Sequence, residues 1–224
     1  MKRVLPFLLT YIVSLMSVSC VDEISDSSLL MQEITFTASF DASSETKTIL
    51  VNGREVYWLP GDRISISGAP DAFTSLSDEQ SANTIFSGTA FPADEYYAIY
   101  PYGNVFSWME TEAMVTLVED QPAVKGTFAN GVNLSAAYTS TDDMSLIFHN
   151  IIGYIKFTVS ENSGSIKSVE VRSNGGEFLS GVFNVGFDDA TKLPVITSTG
   201  TSQSVRLSSE FVLEPGDYLS LIHI

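Results

Sequence analysis

From residue 34 the chain alternates. In EITFTASF, Ile34, Phe36, Ala38 and Phe40 fall on one side and Thr35, Thr37 and Ser39 on the other. That period of two is the mark of a half-buried strand. DASSETKTILVNGREVYWLPGDRISISG follows as loop, strand, turn and strand. Asn52 and Gly53 favour a tight hairpin, Pro60, Gly61 and Asp62 a second turn, and Ile64 and Ile66 alternate after it. Short strands recur in NTIFSGTA, with Ile85 and Phe86 ahead of Gly88, in the aromatic YYAIYPYG, and in AMVTLVED, MSLIFHN, GYIKFTVS and IKSVEVRS. EFLSGVFNVGF alternates through Leu179, Gly181, Phe183, Val185 and Phe187, and QSVRLSS and EFVLEPGDY close the pattern. Residues 71–82 and 197–204 read as exposed connections. No stretch carries a useful amphipathic helix. Roughly ten to twelve short strands with turns between them predict an all-β chain, an antiparallel β-sandwich.

Composition agrees. Of 224 residues, 44% are hydrophobic and 17% charged, enough apolar material for one or two domains with a core. Phe, Tyr, Val, Thr and Ser are plentiful, a balance that favours strands. The formal net charge of −16 argues against nucleic acid as a partner, because neutralising phosphate needs clustered Lys and Arg. The acids are dispersed, the pattern of a solvated surface; cation binding is the other reading.

The first residues change the picture. Lys2 and Arg3 precede an apolar run over residues 4–18, shorter than the ~20 residues a membrane-spanning helix needs and suited to a signal peptide. Ser17, Ser19 and then Cys20 follow, and Cys20 is the sole cysteine. The run resembles a bacterial lipoprotein signal, which is cut before a cysteine whose thiol carries diacylglycerol; Ser17 stands where such signals usually have Leu. Secretion with a nearby cut and an uncleaved anchor are the competing readings. Asp22 and Glu23 behind the cysteine resemble the surface-export signals of Bacteroidetes lipoproteins. This predicts a signal peptide over residues 1–19, lipidation of Cys20 and a flexible tether over 20–33.

The other end breaks with what precedes it. Residues 219–224, LSLIHI, are what CTG TCT CTT ATA CAC ATC encodes, DNA that resembles the transposon-end adapter used to fragment DNA for sequencing. On that reading the natural frame continues past Tyr218, a second domain lies beyond it, and His223 has no function. A genuine apolar final strand is the alternative.

Candidate chemistry is thin. His149, at the end of LIFHN, reads as a strand-end histidine bonded to backbone. There is no G-x-S-x-G, no His/Cys spacing for a metal, no phosphate-binding glycine loop and no EF-hand around Asp142 and Asp143 or Asp188 and Asp189, which read as turn caps. Tyr96, Tyr97, Tyr100 and Tyr102 allow a sugar-stacking platform, with Tyr97 and Tyr100 as the candidate ligand-binding residues; alternating strand aromatics also serve cores and sheet faces.

Taken in order, the lipoprotein start, ITFTASF, ETKT, YWLPGDRISI, YYAIYPY, LIFHNIIGYIKFTV and LEPGDY resemble the fimbrillin-like family of Bacteroidetes, the lipoprotein subunits of type V pili. The resemblance spans about residues 34–218 and implies a transthyretin-like, Greek-key β-sandwich, the N-terminal one of two. It implies no catalytic activity and no cofactor. In polymerising members an arginine-preferring, trypsin-like protease removes the first strand with the lipid, and another pilin subunit donates a strand to the opened groove. Here the departing strand would be EITFTASF, with Arg54 and Lys47 as candidate maturation sites; both also read as ordinary loop charges. The implied protein is an outer-membrane, surface-exposed fimbrial subunit or pilus-associated adhesin. The alternative is a non-polymerising surface lipoprotein that binds glycans or host ligands.

Overall fold

The computed structural model describes residues 30–41, 57–198 and 200–223. Among these, strands follow in the order β1 (Gln32–Phe40), β2 (Arg63–Ile66), β3 (Phe73–Ser75), β4 (Asn83–Ala90), β5 (Glu95–Tyr100), β6 (Val105–Met109), β7 (Glu112–Leu117), β8 (Asp120–Val124) and β9 (Thr127–Phe128). They continue with β10 (Ser135–Ser140), β11 (Ser145–Asn150), β12 (Gly153–Val159), β13 (Ser168–Arg172), β14 (Gly181–Phe187), β15 (Pro194–Ile196), β16 (Ser204–Ser208) and β17 (Gly216–Ile222). The chain is all-β, as the alternation predicts, and most strand pairs are antiparallel.

One sheet closes on itself in the order β1-β11-β10-β5-β2-β3-β4. Its interior is aromatic. Phe36, Phe73, Phe86, Phe148 and Trp58 are fully buried together with Ile64 and Ile66. Trp58 meets Phe86, Tyr100 and Phe148 edge-on at centroid distances of 5.0, 5.3 and 5.2 Å, a geometry that aromatic quadrupoles favour. β3 corrects an expectation: it lies inside the stretch read as an exposed connection, because Phe73 turns inward beneath β4. Gly88 makes room for it, since a Cβ there would stand 2.6 Å from the Phe73 ring.

The turn before β2 is built as its residues demand. Gly61 takes φ 78°, which an L side chain resists. The buried Asp62 carboxylate accepts the Leu59 amide at 2.8 Å and the Tyr100 hydroxyl at 3.1 Å. Burial raises the Asp62 pKa, against the pull of those two bonds.

β5 and β10 are covered on both faces. Tyr96, Ala98, Tyr100 and Ala137 face the barrel interior, while Ile99 and Ala136 belong to a second core with Val115 of β7, Phe183 of β14 and Leu221 of β17. That second core lies between the barrel's flank and the sheet β15-β14-β7-β6. A third, smaller core around Val159, Leu207, Leu213 and Tyr218 sits with the pair β12-β17 and the sheet β13-β16-β8-β9.

β17 runs through Tyr218 without a break, and its residues 219–222 pair with β12 from Lys156↔Leu219 to Gly153↔Ile222. Leu219 and Leu221 are buried, and the His223 ring lies 4.8 Å from Phe183. Buried Gln121 of β8 ties this strand down. Its amide oxygen accepts the Leu221 N–H at 2.8 Å and its amide nitrogen donates to the Leu221 carbonyl at 2.8 Å. Gln121→Leu would leave both backbone groups buried and unpaired. We expect a loss of about 2–3 kcal/mol in unfolding free energy, read from urea titration.

Candidate functional site

The slot of β1 is the first place where the fold has functional content. β1 pairs antiparallel with β4 from Gln32↔Ala90 to Ser39↔Asn83, and parallel with β11 from Thr37↔Ser145 to Phe40↔Phe148. It is therefore an interior strand of the barrel, although it precedes every other described strand in the chain. Its inward side chains interlock with the aromatic core: Phe36 lies 5.5 Å from Phe73 and 5.1 Å from Tyr96, and Phe40 stacks on Trp58 at 4.2 Å. At its exit Asp41 donates its amide to the Phe148 carbonyl at 3.0 Å, and its carboxylate pairs with His149 Nδ1 at 3.1 Å. His149 thus meets an acid, not the backbone group expected of it. Cys20, Lys47 and Arg54 lie outside the described residues.

The two candidate tyrosines do not converge. Three residues apart on one strand, they point to opposite faces. Tyr100 is 2% exposed inside the barrel, with its hydroxyl on Asp62, and burial drives its pKa upward. Tyr96 points inward with it. Tyr97 is on the outer face, where its ring lies 5.4 Å from its cross-strand partner Tyr138 and 4.9 Å from Phe187 of β14.

Glu95 organises that outer face. It accepts the Tyr97 hydroxyl at 2.6 Å and the Tyr138 hydroxyl at 2.9 Å, and pairs with Lys192 at 3.1 Å. Lys192 also lies 5.2 Å from the Tyr138 ring centroid, a cation–π distance. The Tyr97 bond first, then Lys192 and Tyr138, pull the Glu95 pKa from its usual 4.5 to about 2. This cluster pins the β14–β15 hairpin, through Lys192 and Phe187, to the barrel.

Beside it a groove of about 850 Å³ opens between the barrel and β6. Tyr97, Phe91, Tyr102, Phe106 and Trp108 all contribute to its lining. The Trp108 indole N–H donates to Ser65 Oγ of β2 at 2.8 Å, which fixes the ring across the gap. Trp108 also packs on the second core, and Phe106 is 64% and Phe91 49% exposed. The charged residues in the lining are Glu95 and Glu110, both acidic. Sequence reasoning missed Phe106 and Trp108; the signal available was their alternation with Ser107 in VFSWM.

Asp188 caps the turn between β14 and β15. Asp188 accepts the Thr191 amide and the Thr191 hydroxyl, each at 2.8 Å. Among the described residues no three or more of His, Cys, Asp and Glu gather as a metal-holding group. No helix among them is long and apolar enough to cross a membrane.

No protein-family model matches the chain, and no curated protein or solved structure does either.

Because the folded pKa of Glu95 is depressed, its contribution is full above the usual 4.5 and fades as pH falls toward about 2. The carboxylate side chain is 41% exposed, so solvent screening leaves about 1 kcal/mol at neutral pH. Glu95→Gln should lose that amount in urea unfolding at neutral pH. The gap to the wild type should narrow as the pH drops below 4.5.

Proposed function

We propose that this protein is a non-catalytic structural subunit of the cell surface, a fimbrial subunit or pilus-associated adhesin that assembles by strand exchange. In this reading it is exported as a lipoprotein, held at the outer membrane through acylated Cys20, and released when the chain is cut after β1. The observation that carries the proposal is the position of β1, first among the described strands and yet interior to the closed sheet.

Removing such a strand bares two rows of backbone donors and acceptors, on β4 and on β11, together with the apolar positions left by Phe36 and Phe40. A strand with alternating apolar side chains from a second copy restores both. The contact is head-to-tail, and when its rotation does not close it propagates a filament. Lys47 and Arg54 both fall in sequence between the end of β1 and Tyr57, so a cut at either one severs β1 from the rest of the chain. If neither is cut, the subunit stays anchored and serves as a base or as a non-polymerising surface protein.

The test is to treat the full chain with an arginine-preferring, trypsin-like protease and to follow assembly by electron microscopy and by denaturant-resistant ladders on gels. The expected outcome is cleavage between residues 42 and 56 followed by fibres, with both abolished in the double variant Lys47→Ala, Arg54→Ala. Cleaved protein that stays monomeric, with β1 still bound or its slot left open, sinks the polymerising version. Independently, Phe36→Ala should cost about 3–5 kcal/mol of stability in urea unfolding, since it empties a site enclosed by Phe73 and Tyr96.

A further inference from the structure

We infer that the groove between the barrel and β6 is a binding site for a short neutral saccharide. This goes beyond strand exchange and uses none of the aromatic contacts of β1. The groove volume of about 850 Å³ lies in the range of small-molecule sites, roughly 300–1,000 Å³.

Its chemistry selects the ligand class. Exposed aromatic faces attract the weakly positive C–H faces of a sugar ring, because the ring quadrupole is negative above its plane. Trp108 offers a ring already held in place by the bond to Ser65 and by packing on the second core, so little freedom is lost when a ligand stacks on it. Phe106 and Phe91 flank it and remain open to solvent.

The polar groups divide in a matching way. Glu95 is already engaged by Tyr97, Tyr138 and Lys192. Glu110 and Thr111 belong to the same lining, and their side chains make no hydrogen bond or ion pair among the described residues, which leaves them to meet sugar hydroxyls. Lys192 offsets Glu95, and the Arg63 guanidinium lies 5.3 Å from the Tyr102 ring at the groove's border, so repulsion of an anionic ligand rests on the unpaired Glu110 carboxylate. An added peptide strand is disfavoured for a separate reason. β6 ends its sheet, but its edge is broken by a register shift between Val105 and Ser107, and Glu110 beyond it takes φ 56°. Irregularity of that kind blunts strand pairing.

The test uses tryptophan emission of the full chain. The protein has two tryptophans; Trp58 is 0% exposed in the barrel, so a ligand-dependent change reports on Trp108. Maltotriose, cellotriose, mannotriose and N-acetylchitotriose are titrated, with 3′-sialyllactose as the anionic probe and decanoate as the apolar one. The expected result is a saturable change with at least one neutral trisaccharide and none with sialyllactose or decanoate. Phe106→Ala should weaken that binding about tenfold, with the far-ultraviolet circular dichroism unchanged. Glu110→Gln should weaken it as well. The inference is overturned if no neutral trisaccharide gives a saturable change, if sialyllactose or decanoate binds instead, or if Phe106→Ala leaves the affinity as it was. A chain that forms fibres and binds no saccharide would overturn this inference alone.

Discussion

Phe40 stacked on Trp58 at 4.2 Å fastens the end of β1 to the centre of an aromatic cluster, and the closed sheet depends on that contact. Trp58 in turn touches Phe86, Tyr100 and Phe148, side chains from three other barrel strands. A barrel of short strands gains little from any one ladder of hydrogen bonds, because the same groups bond water in the unfolded chain. The surplus comes from apolar surface, and here it is concentrated in large rings that meet edge to face. The strand that completes the ladder is thus also the one that fills the cavity, which is why its proposed exchange would have to replace both.

How far the fold was legible depended on where each strand sits. β1 and β14 bury mainly one face, so their alternation was plain in the sequence. β5 reads as an unbroken apolar run because the barrel interior takes Tyr96, Ala98 and Tyr100 while the second core takes Ile99. β10, SAAYTS, went unread for the opposite reason. Its Ala136 and Ala137 fit between two crowded layers by being small, and small residues carry a weak strand signal. Closure of the first sheet was out of reach, since it rests on the pairing of β1 with β11, more than a hundred positions away in the chain. The candidate site was half legible. Tyr97 borders the groove, but Tyr100, three positions on, faces inward by strand parity, as the core reading of alternating aromatics allowed. Phe106 and Trp108 alternate with Ser107 over only three positions, too short a run to stand out as a strand, and nothing in it shows that the two rings border a groove.

The acidity of the chain has a structural counterpart. With 27 acids and 11 basic residues, most carboxylates cannot find a Lys or Arg. Many are met by hydroxyls instead: Glu119 by Ser202 and Ser204, Glu112 by Thr197, Glu33 by Ser87, Asp188 by Thr191. Ser204 and then Ser202 hold the Glu119 pKa below the usual carboxylate range. The abundance of Ser and Thr is thus more than strand propensity, since it supplies donors without adding charge. Neutral donors also leave these contacts less sensitive to salt than ion pairs at the same positions would be.

The sharing of β5 and β10 between two cores bears on how the molecule comes apart. A strand that lines one core with one face and a second core with the other cannot be abandoned by either alone. Loosening the barrel strips the cover from the flanking sheet, and loosening the flank exposes the barrel's outer wall. Opening at β5 or β10 therefore disturbs both cores together, while β1, paired with β4 and β11, lies outside the second core. In the proposed exchange, scission of the backbone after β1 would turn a continuous chain into two pieces held together only by packing and hydrogen bonds, a trigger that can fire once.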